Sequence, residues 1–152
     1  MKKMASPLVF VVEDDPLYGA FIKEVLLQNE YTNLKLFQSG KEFMEELHKN
    51  PSIVILDYRL KEPGLDGLKI LKRIKAYDPD IHVLMLTGQQ KLEVAVNTLK
   101  YGAFDYVIKD ENAQRNLQKQ LQRIEEINNQ IKNKKSSGGF GRQLLNSLLL
   151  SF

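Results

Sequence analysis

The sequence predicts an α/β fold, a five-stranded parallel sheet with helices on both faces, and three observations lead to it. Short apolar runs alternate five times with helical patterns along the chain, which is the order of a sheet built from strand–helix units joined by right-handed crossovers. Within residues 52–57, the four residues 53–56 form an apolar run without polar alternation, as in a strand buried on both faces. A hydrophobic content of 43% in 152 residues suits one globular domain with a core.

The first half of the chain predicts two strands and two helices before the central strand. Residues 8–12 are a continuous apolar run and predict the first strand. Asp15 and Pro16 predict the start of the first helix, as an N-cap acid followed by proline at the first helical position. The apolar face of this helix consists of Leu17, Phe21, Ile22, Val25 and Leu26. Residues 34–37 predict the second strand, and residues 40–50 the second helix, which ends before Pro51.

The second half of the chain continues the same alternation. The central strand ends on Asp57, and a third helix is predicted from near Asp66, with Leu68, Leu71 and Ile74 facing inward. Residues 83–86 and 106–108 predict the fourth and fifth strands. The fourth helix is predicted from Leu92, Ala95, Val96 and Leu99. The long last helix is predicted from Leu117, Leu121, Ile124, Ile127 and Ile131.

Composition excludes several classes of protein. The chain has no cysteine, so disulfides and thiolate metal sites are excluded. The net charge of +3 comes from residues 111–152, with seven Lys/Arg against three Asp/Glu, while the rest of the chain is nearly neutral; we therefore expect no direct nucleic-acid binding. No apolar run is long enough to span a bilayer or to act as a signal peptide. We expect a soluble, cytoplasmic protein.

Acidic, hydroxyl and basic side chains follow the predicted strands, at the points where the strands end. Glu13, Asp14 and Asp15 follow the first strand, Asp57 ends the third, and the fourth and fifth end in Thr87 and Lys109 respectively. In a parallel sheet all of these lie at one edge, where open α/β sheets bind ligands. Crowded carboxylates favour a cation with oxygen ligands, such as Mg²⁺. With a hydroxyl and an ammonium beside them, they predict phosphoryl transfer to a carboxylate.

These residues and their spacing resemble the response-regulator receiver domain over residues 8 to about 124. The matching motifs are Val11-Val12-Glu13-Asp14-Asp15-Pro16, Ile55-Leu56-Asp57, Pro63-Gly64-Leu65-Asp66-Gly67, Leu86-Thr87-Gly88 and Tyr106-Val107-Ile108-Lys109. The resemblance implies a flavodoxin-like (βα)5 fold with strand order 2-1-3-4-5. It also implies phosphorylation of Asp57 by a histidine kinase or a histidine phosphotransfer protein, in a Mg²⁺-dependent reaction.

The resemblance also assigns roles to individual residues. Asp57 and Asp14 would bind Mg²⁺ directly, and Glu13 would reach it through water. The backbone carbonyl of Arg59 would be a further ligand. Lys109 would pair with the phosphoryl oxygens, and Thr87 would hydrogen-bond the phosphoryl group and move towards it. Tyr106 would then rotate inward, which makes Thr87 and Tyr106 the switch residues.

Two side chains would tune the loss of the phosphoryl group. In a receiver the residues two positions after the phosphorylated acid and two after the switch hydroxyl overhang the path of the attacking water. Here these are Arg59 and Gln89. Arg59 could obstruct the water and pair with the phosphoryl oxygens, whereas Gln89 could orient the water. We expect the effect of Arg59 to prevail.

The chain departs from the family pattern in three respects. The family usually has a proline four residues after the phosphorylated acid, but here Lys61 and Glu62 precede Pro63, so the loop is two residues longer. The family usually places a proline on a cis bond after its lysine, and this chain has Asp110 there, where a cis bond would cost about 2.5–4 kcal/mol. The family also often carries an output domain, and none is visible.

The departures leave a second interpretation open, a pseudo-receiver that acts as a protein-interaction module without phosphorylation. The intact Asp57, Thr87 and Lys109 argue against it, and the altered loop and the missing proline argue for it. A turnover enzyme acting on a separate small-molecule phosphate is disfavoured, because no substrate-binding insertion is present. We expect the chain only to assist its own phosphorylation and dephosphorylation.

The end of the chain also has alternative interpretations. Either Leu117, Leu121 and Ile124 pack on the sheet and the rest of the last helix frays, or the helix projects and pairs with another copy or a target. We predict a receiver domain over residues 1–135 and a linker-like, apolar tail over residues 136–152. A homodimer is expected through the fourth helix, the fifth strand and the last helix. The residues of this face lie beside Tyr106 and are Lys91, Glu93, Val94, Asn97, Thr98 and Tyr101.

Overall fold

A computed structural model of the chain describes residues 6–88 and 91–136 and contains a five-stranded sheet. All four strand pairs are parallel, and the strand order is 2-1-3-4-5. This confirms the predicted flavodoxin-like topology. The strands are β1 (Val9–Val12), β2 (Leu34–Phe37), β3 (Ile53–Asp57), β4 (His82–Thr87) and β5 (Asp105–Ile108).

A helix follows each strand, as the alternating pattern predicts. The helices are α1 (Pro16–Gln28), α2 (Gly40–Glu46), α3 (Gly67–Tyr77), α4 (Leu92–Lys100) and α5 (Ala113–Ser136). The second helix is shorter than predicted, because a 3₁₀ turn over Leu47–Lys49 replaces its last turn. Asn50 then takes a left-handed conformation, with φ of 58°, which asparagine tolerates better than most residues.

Short polar side chains fix where three helices begin. The Asp15 carboxylate accepts a hydrogen bond from the backbone N–H of Leu17 at 3.0 Å, and Pro16 occupies the first position of α1. Ser39 and Asp66 accept corresponding bonds at the starts of α2 and α3. These bonds satisfy N–H groups that have no partner within the helix. The starts of α1 and α3 near Asp15 and Asp66 are therefore as predicted.

Side chains alternate across the sheet and divide the core into two faces. One face carries a cluster of buried residues around Phe10, whose ring meets Phe37 and Phe43 edge to face at centroid distances of 4.9 and 6.1 Å. The strands, α2 and α3 contribute to this cluster. Buried strand residues of the other parity are Val9, Val11, Ile53, Ile55, Leu84, Leu86 and Val107. The central strand β3 is buried on both faces, as the unbroken apolar run predicts.

The rotation of two helices differs from the sequence pattern. In α1 the residues Ile22, Val25 and Leu26 are buried, but Leu17 is 82% exposed, because it lies in the first turn at the sheet edge. The predicted inward position of Leu17 is therefore wrong. In α4 the buried residues are Val94 and Thr98, so neither can belong to the surface face predicted for association. The exposed apolar residues of α4 are Leu92, Val96 and Leu99.

The chain divides into two compact units, residues 1–118 and residues 119–152. The first unit holds the sheet, α1–α4 and the start of α5, and the second continues α5. Leu117, Leu121 and Ile124 are buried. Because α5 is helical as far as Ser136, none of its described part is frayed. The predicted domain boundary after residue 135 stays a prediction, and the tail predicted over 136–152 lies outside the described residues after Ser136.

The helices in the described segments would each need about 20 consecutive, mostly apolar residues to span a bilayer. None of them is long and apolar enough to cross a membrane.

Gly67 opens α3 at a point where the helix meets the loop that follows β3. A Cβ atom at this position would lie 2.7 Å from the Tyr58 Cα and 2.8 Å from the Tyr58 carbonyl oxygen, and it would also press on the Asp57 carbonyl. These are backbone atoms, which cannot swing aside as a side chain can. The Gly67 N–H donates to the Tyr58 carbonyl at 3.1 Å. Glycine here lets α3 begin directly against the end of β3.

Gly67→Ala should therefore destabilise the fold by about 1–3 kcal/mol, because the backbone must shift to admit one methyl group. Gly19→Ala is a matched control, since a Cβ atom at Gly19 in α1 would meet nothing within 4 Å. Replacing a helical glycine should stabilise the chain by roughly 0.5–1 kcal/mol. Urea unfolding followed by circular dichroism measures both changes. Equal stability of Gly67→Ala and the wild type would contradict the close approach.

Candidate functional site

Hydrogen bonds beyond the strand ends fix the backbone of the predicted site residues. The Glu13 N–H donates to the Phe37 carbonyl at 2.9 Å, which extends the β1–β2 ladder by one residue. The Lys109 N–H donates to the Thr87 carbonyl at 2.8 Å, which does the same for β4 and β5. The residues just past the strands are therefore placed almost as firmly as the strands themselves.

Strand parity brings three of the predicted side chains to one face of the sheet. Side chains alternate along a strand, so residues two apart share a face. In the observed registers Val11 lies beside Ile55, and Asp57 lies beside Leu86, which lies beside Val107. Glu13, Asp57 and Lys109 continue this set of residues, as every second position at the ends of β1, β3 and β5.

The three side chains are in direct contact. The Lys109 Nζ lies 2.8 Å from Glu13 Oε1 and 3.3 Å from Asp57 Oδ2. Glu13 is 3% exposed and Asp57 4% exposed, so both carboxylates have lost most of their water. A desolvated carboxylate is strongly unfavourable without a partner. Lys109 supplies that partner for both.

A third carboxylate makes this a possible cation site. One ligand oxygen from each of Glu13, Asp14 and Asp57 lies within 4.8 Å of the others. Glu13 Oε2 is buried and has no hydrogen-bond donor among the described residues. Three carboxylates face a single ammonium, so negative charge remains unbalanced. Oxygen ligands with this excess charge fit a hard divalent ion such as Mg²⁺, which usually binds one or two carboxylates and several waters.

Burial and mutual contact shift the pKa values of Glu13 and Lys109. Burial raises the pKa of the Glu13 carboxyl to about 8, and a hydrogen bond with the Asp57 carboxyl adds to the rise. Contact with Lys109 lowers the pKa of Glu13 but does not offset these effects. Burial opposes the charged form of Lys109, but its hydrogen bond to Glu13 and the charge of Asp57 outweigh burial and raise its pKa. Without a further cation, the cluster therefore holds a proton near neutral pH.

Backbone N–H groups of the loop after β3 orient two of the carboxylates. The Arg59 N–H donates to Asp57 Oδ1 at 3.1 Å. The Lys61 N–H donates to Asp14 Oδ2, also at 3.1 Å. Asp57 is thus held from both sides, because its second oxygen faces Lys109. The side chain of Arg59 is exposed.

The two extra residues of this loop join the site to α2. The Glu62 carboxylate accepts hydrogen bonds from the backbone N–H of Gly40 at 2.5 Å and of Lys41 at 3.3 Å. A carboxylate at these N–H groups is stabilised by their partial positive charge. Its neighbour Lys61 binds Asp14, so the loop connects a carboxylate of the site to the first turn of α2. The sequence showed only that the loop is longer, because an acid in a loop carries no signal of its partner.

The predicted switch residues lie on the other face of the sheet. Thr87 has the parity of Met85, which lies beside Tyr106 in the β4–β5 register. Thr87 and Tyr106 therefore share a face and sit one diagonal step apart. Thr87 is buried and Tyr106 half-buried. The second predicted tuning residue, Gln89, lies outside the described residues.

The loop after β5 has Asp110 where the family usually has a proline, and the bond before Asp110 is trans. All peptide bonds in the described residues are trans, including the one between Lys109 and Asp110. The Asp110 carboxylate accepts from the Asn112 N–H at 2.9 Å, and its carbonyl accepts from the Ala113 N–H at 3.1 Å. Asp110 thus leads the chain into α5, which starts at Ala113. In the same region the ring of Tyr18 lies beside Lys109, a contact that the sequence pattern does not reveal.

Comparison with known proteins gives the same picture over most of the chain. The family model of the response regulator receiver domain matches residues 9–122. The transcriptional regulatory protein ZraR of Escherichia coli K12 is 37% identical over 115 residues, which cover 73% of this chain and 26% of ZraR. The chain thus spans about a quarter of the length of that relative.

Solved structures agree with the sequence comparison. The BeF3-activated receiver domain of DrrB from Thermotoga maritima superposes with a TM-score of 0.71 at 29% identity, covering 79% of this chain and 97% of that domain. The chemotaxis protein CheY4 of Vibrio cholerae shares the fold, with a TM-score of 0.69 at 23% identity. The match covers 79% of this chain and 99% of the CheY4 chain.

Glu13 should make the stability of the metal-free protein depend on pH. Its pKa is about 8 in the folded chain, against 4.5 ordinarily. Between these values the folded chain holds a proton that the unfolded chain has released. This contribution to stability is therefore complete below pH 4.5 and is lost as the pH rises through 8. We expect the unfolding free energy to fall by about 1–2 kcal/mol between pH 6.5 and 8, less than full linkage because water reaches the site.

Glu13→Gln removes the titrating group and should flatten the stability profile over this range. Urea unfolding in a metal chelator, at three or four pH values, measures both proteins. Burial lowers the pKa of His82, so His82 acts below pH 6.5 and with the opposite sign, and it is present in both proteins. Profiles that run parallel from pH 6.5 to 8 would contradict the raised pKa of Glu13.

Proposed function

The chain belongs to the response regulator receiver domain family of two-component systems, and on this premise we propose that it is a phosphorylation switch with Asp57 as the phosphoacceptor. The phosphoryl donor would be a histidine kinase or a histidine phosphotransfer protein. The observation that carries the proposal is the contact of Lys109 with both Glu13 and Asp57, beside the third carboxylate of Asp14. A structural ion pair alone would not account for a third acid in the same cluster.

The side chains are suited to in-line transfer to a carboxylate. A carboxylate oxygen of Asp57 would form the new bond to phosphorus. The bond from phosphorus to the donor nitrogen would break, and its electron pair would stay on that nitrogen. Asp57 is held for this by the Arg59 N–H on one oxygen and by Lys109 on the other. Positioning and electrostatic stabilisation account for most of the catalysis of phosphoryl transfer.

Mg²⁺ would be held by Asp14 and Asp57, with Glu13 reaching it through water and the Arg59 carbonyl as a further ligand. The fit rests on the clustered carboxylate oxygens and on the unpartnered Oε2 of Glu13. Bound there, the ion would neutralise carboxylate and phosphoryl charge. Lys109 would then be released from Glu13 to pair with phosphoryl oxygens at the other side of Asp57.

Thr87 and Tyr106 would pass the change to the surface. Thr87 would approach the phosphoryl group and Tyr106, one diagonal step away on the same face, would turn inward. The resulting population shift would act on association through α4, β5 and α5. The exposed apolar residues Leu92, Val96 and Leu99 favour such a role for α4. Of the face predicted from the sequence, Lys91, Glu93 and Tyr101 are also exposed.

A pseudo-receiver remains the second candidate, favoured by the longer loop after β3 and by Asp110 in place of proline. Both features have structural roles here, since Glu62 binds the first turn of α2 and Asp110 leads into α5. They therefore need not signal a lost activity. A separate turnover activity is not part of the proposal, because the chain would act on its own Asp57.

Incubation with Mg²⁺ and a small acyl phosphate should add one phosphoryl group to the wild type, measured by intact mass. Asp57→Asn should gain none, because it lacks the acceptor oxygen. Asp14→Asn should be strongly slowed, because it weakens the cation site, and a chelator should abolish the gain in all proteins. A wild type that gains nothing, from the acyl phosphate or from an active histidine kinase, would favour the pseudo-receiver.

Arg59→Ala should lose its phosphoryl group roughly two- to tenfold faster than the wild type, because an exposed cation contributes modestly to holding phosphoryl oxygens and excluding water. Timed phosphate release in excess Mg²⁺ measures the rates. Arg73→Ala is the matched control, since Arg73 is an exposed arginine on α3 away from the strand ends. An Arg59→Ala rate equal to or below that of the wild type would refute the tuning role.

A further inference from the structure

Tyr18 supplies a third contact to the ammonium of Lys109. The residue lies in the first turn of α1, three positions after Asp15, the last of the acids that follow β1. The Lys109 Nζ lies 4.6 Å from the centroid of the Tyr18 ring, within the range of a cation–π interaction. The same ammonium contacts Glu13 at 2.8 Å and Asp57 at 3.3 Å. Lys109 is therefore bounded by two carboxylates and one aromatic ring.

The ring of Tyr18, and not its hydroxyl group, makes this contact. The phenolic oxygen is buried and has no hydrogen-bond partner among the described residues. The ring itself is supported by Phe21, one turn along α1, at a centroid distance of 5.2 Å and an interplanar angle of 58°. A supported ring presents a fixed aromatic surface to the ammonium.

A ring suits an ammonium that must change partners. Hydrogen bonds to carboxylates are directional, whereas attraction to an aromatic face tolerates sliding of the cation across it. In the proposed reaction Lys109 leaves Glu13 for the phosphoryl oxygens on Asp57. The next residue in the chain is Asp110 and not proline, so this loop lacks the ring that would fix φ at this point. The ring of Tyr18 can restrain the lysine throughout the exchange.

We propose that Tyr18 is a positioning residue that holds the Lys109 ammonium at the edge of the site through its ring face and thereby speeds phosphoryl transfer to Asp57. The kinetic part of this proposal rests on the proposed function. The positioning part concerns only the side chains of the unmodified protein and can be tested without phosphorylation.

The test of positioning uses the shielding cone of the ring. Protons held over an aromatic face resonate upfield, so the ε-methylene protons of Lys109 should be shifted upfield in a carbon–proton NMR spectrum, with Lys109→Arg giving the assignment. The shift should persist in Tyr18→Phe and disappear in Tyr18→Leu. Random-coil values for these protons in the wild type would overturn the positioning role.

The test of rate uses a small acyl phosphate and saturating Mg²⁺, with the phosphorylated fraction followed by intact mass. Tyr18→Leu should be slowed roughly three- to thirtyfold, the range that a partly desolvated cation–π contact supports. Tyr18→Phe should stay close to the wild type, because it keeps the ring. The dissociation constant for Mg²⁺, measured by calorimetry, should stay nearly unchanged in both, because Tyr18 offers no ligand to the carboxylate cluster.

Phe21→Leu is the matched control, since it removes a neighbouring ring of α1 that is not the one facing Lys109. It should be slowed less than Tyr18→Leu. A Tyr18→Leu rate equal to that of the wild type would overturn the kinetic role. A rate that falls together with Mg²⁺ affinity would show general damage and overturn it too. A wild type that gains no phosphoryl group would overturn the proposed function, while the NMR result would still decide the positioning role.

Discussion

The arrangement of the sheet edge depends on one constraint, that the buried carboxylates of Glu13 and Asp57 share a single ammonium. Desolvated carboxylates repel each other and need a cation close by. The register places Val107 level with Asp57 across β4, and Lys109, two residues further on, shares the face of Val107 and contacts both carboxylates. Burial, together with the neighbouring Asp57 carboxyl, raises the pKa of Glu13 even with Lys109 beside it. Once Asp14 is added, one ammonium cannot balance the three carboxylates, so the cluster suits a divalent ion.

The sequence predicts this cluster because strand ends can be located from apolar runs. The run before Asp57 has no polar residue between 53 and 56, so its end is unambiguous, and the ends before Glu13 and Lys109 are almost as clear. Parallel strands then bring these ends to one edge. The spacing also indicates that the three side chains share one face of the sheet. Glu13, Asp57 and Lys109 each continue the every-second-residue pattern of their strands. The starts of α1 and α3 also follow from local chemistry, whereas the strand order is implied by the resemblance to the receiver domain.

The sequence could not predict which way the helices turn or what the loops bind. An apolar stripe marks a helix but not its rotation, and in α4 Thr98 is buried while Leu92 is exposed. The rotation is decided by packing against neighbouring elements. The contacts of Glu62 with the first turn of α2 and of Tyr18 with Lys109 depend on side chains that are distant in sequence or carry no motif. Such contacts appear only when the backbone path is known.

Charge balance connects the cation, the lysine and the loop into one system. Three carboxylates, one ammonium and a divalent cation would together be neutral. Conversion of Asp57 to an aspartyl phosphate replaces one negative charge by about 1.5 to 2, so the site would again carry excess negative charge. Lys109 could not then form ion pairs of equal strength with Glu13 and the phosphoryl group. The negative charge of Glu13 would instead be balanced by the metal. Metal and phosphoryl group would therefore stabilise each other. The Lys61 N–H donates to Asp14, and the neighbouring Glu62 accepts from the first turn of α2. A shift of the metal ligands would therefore move α2 as well as the switch residues.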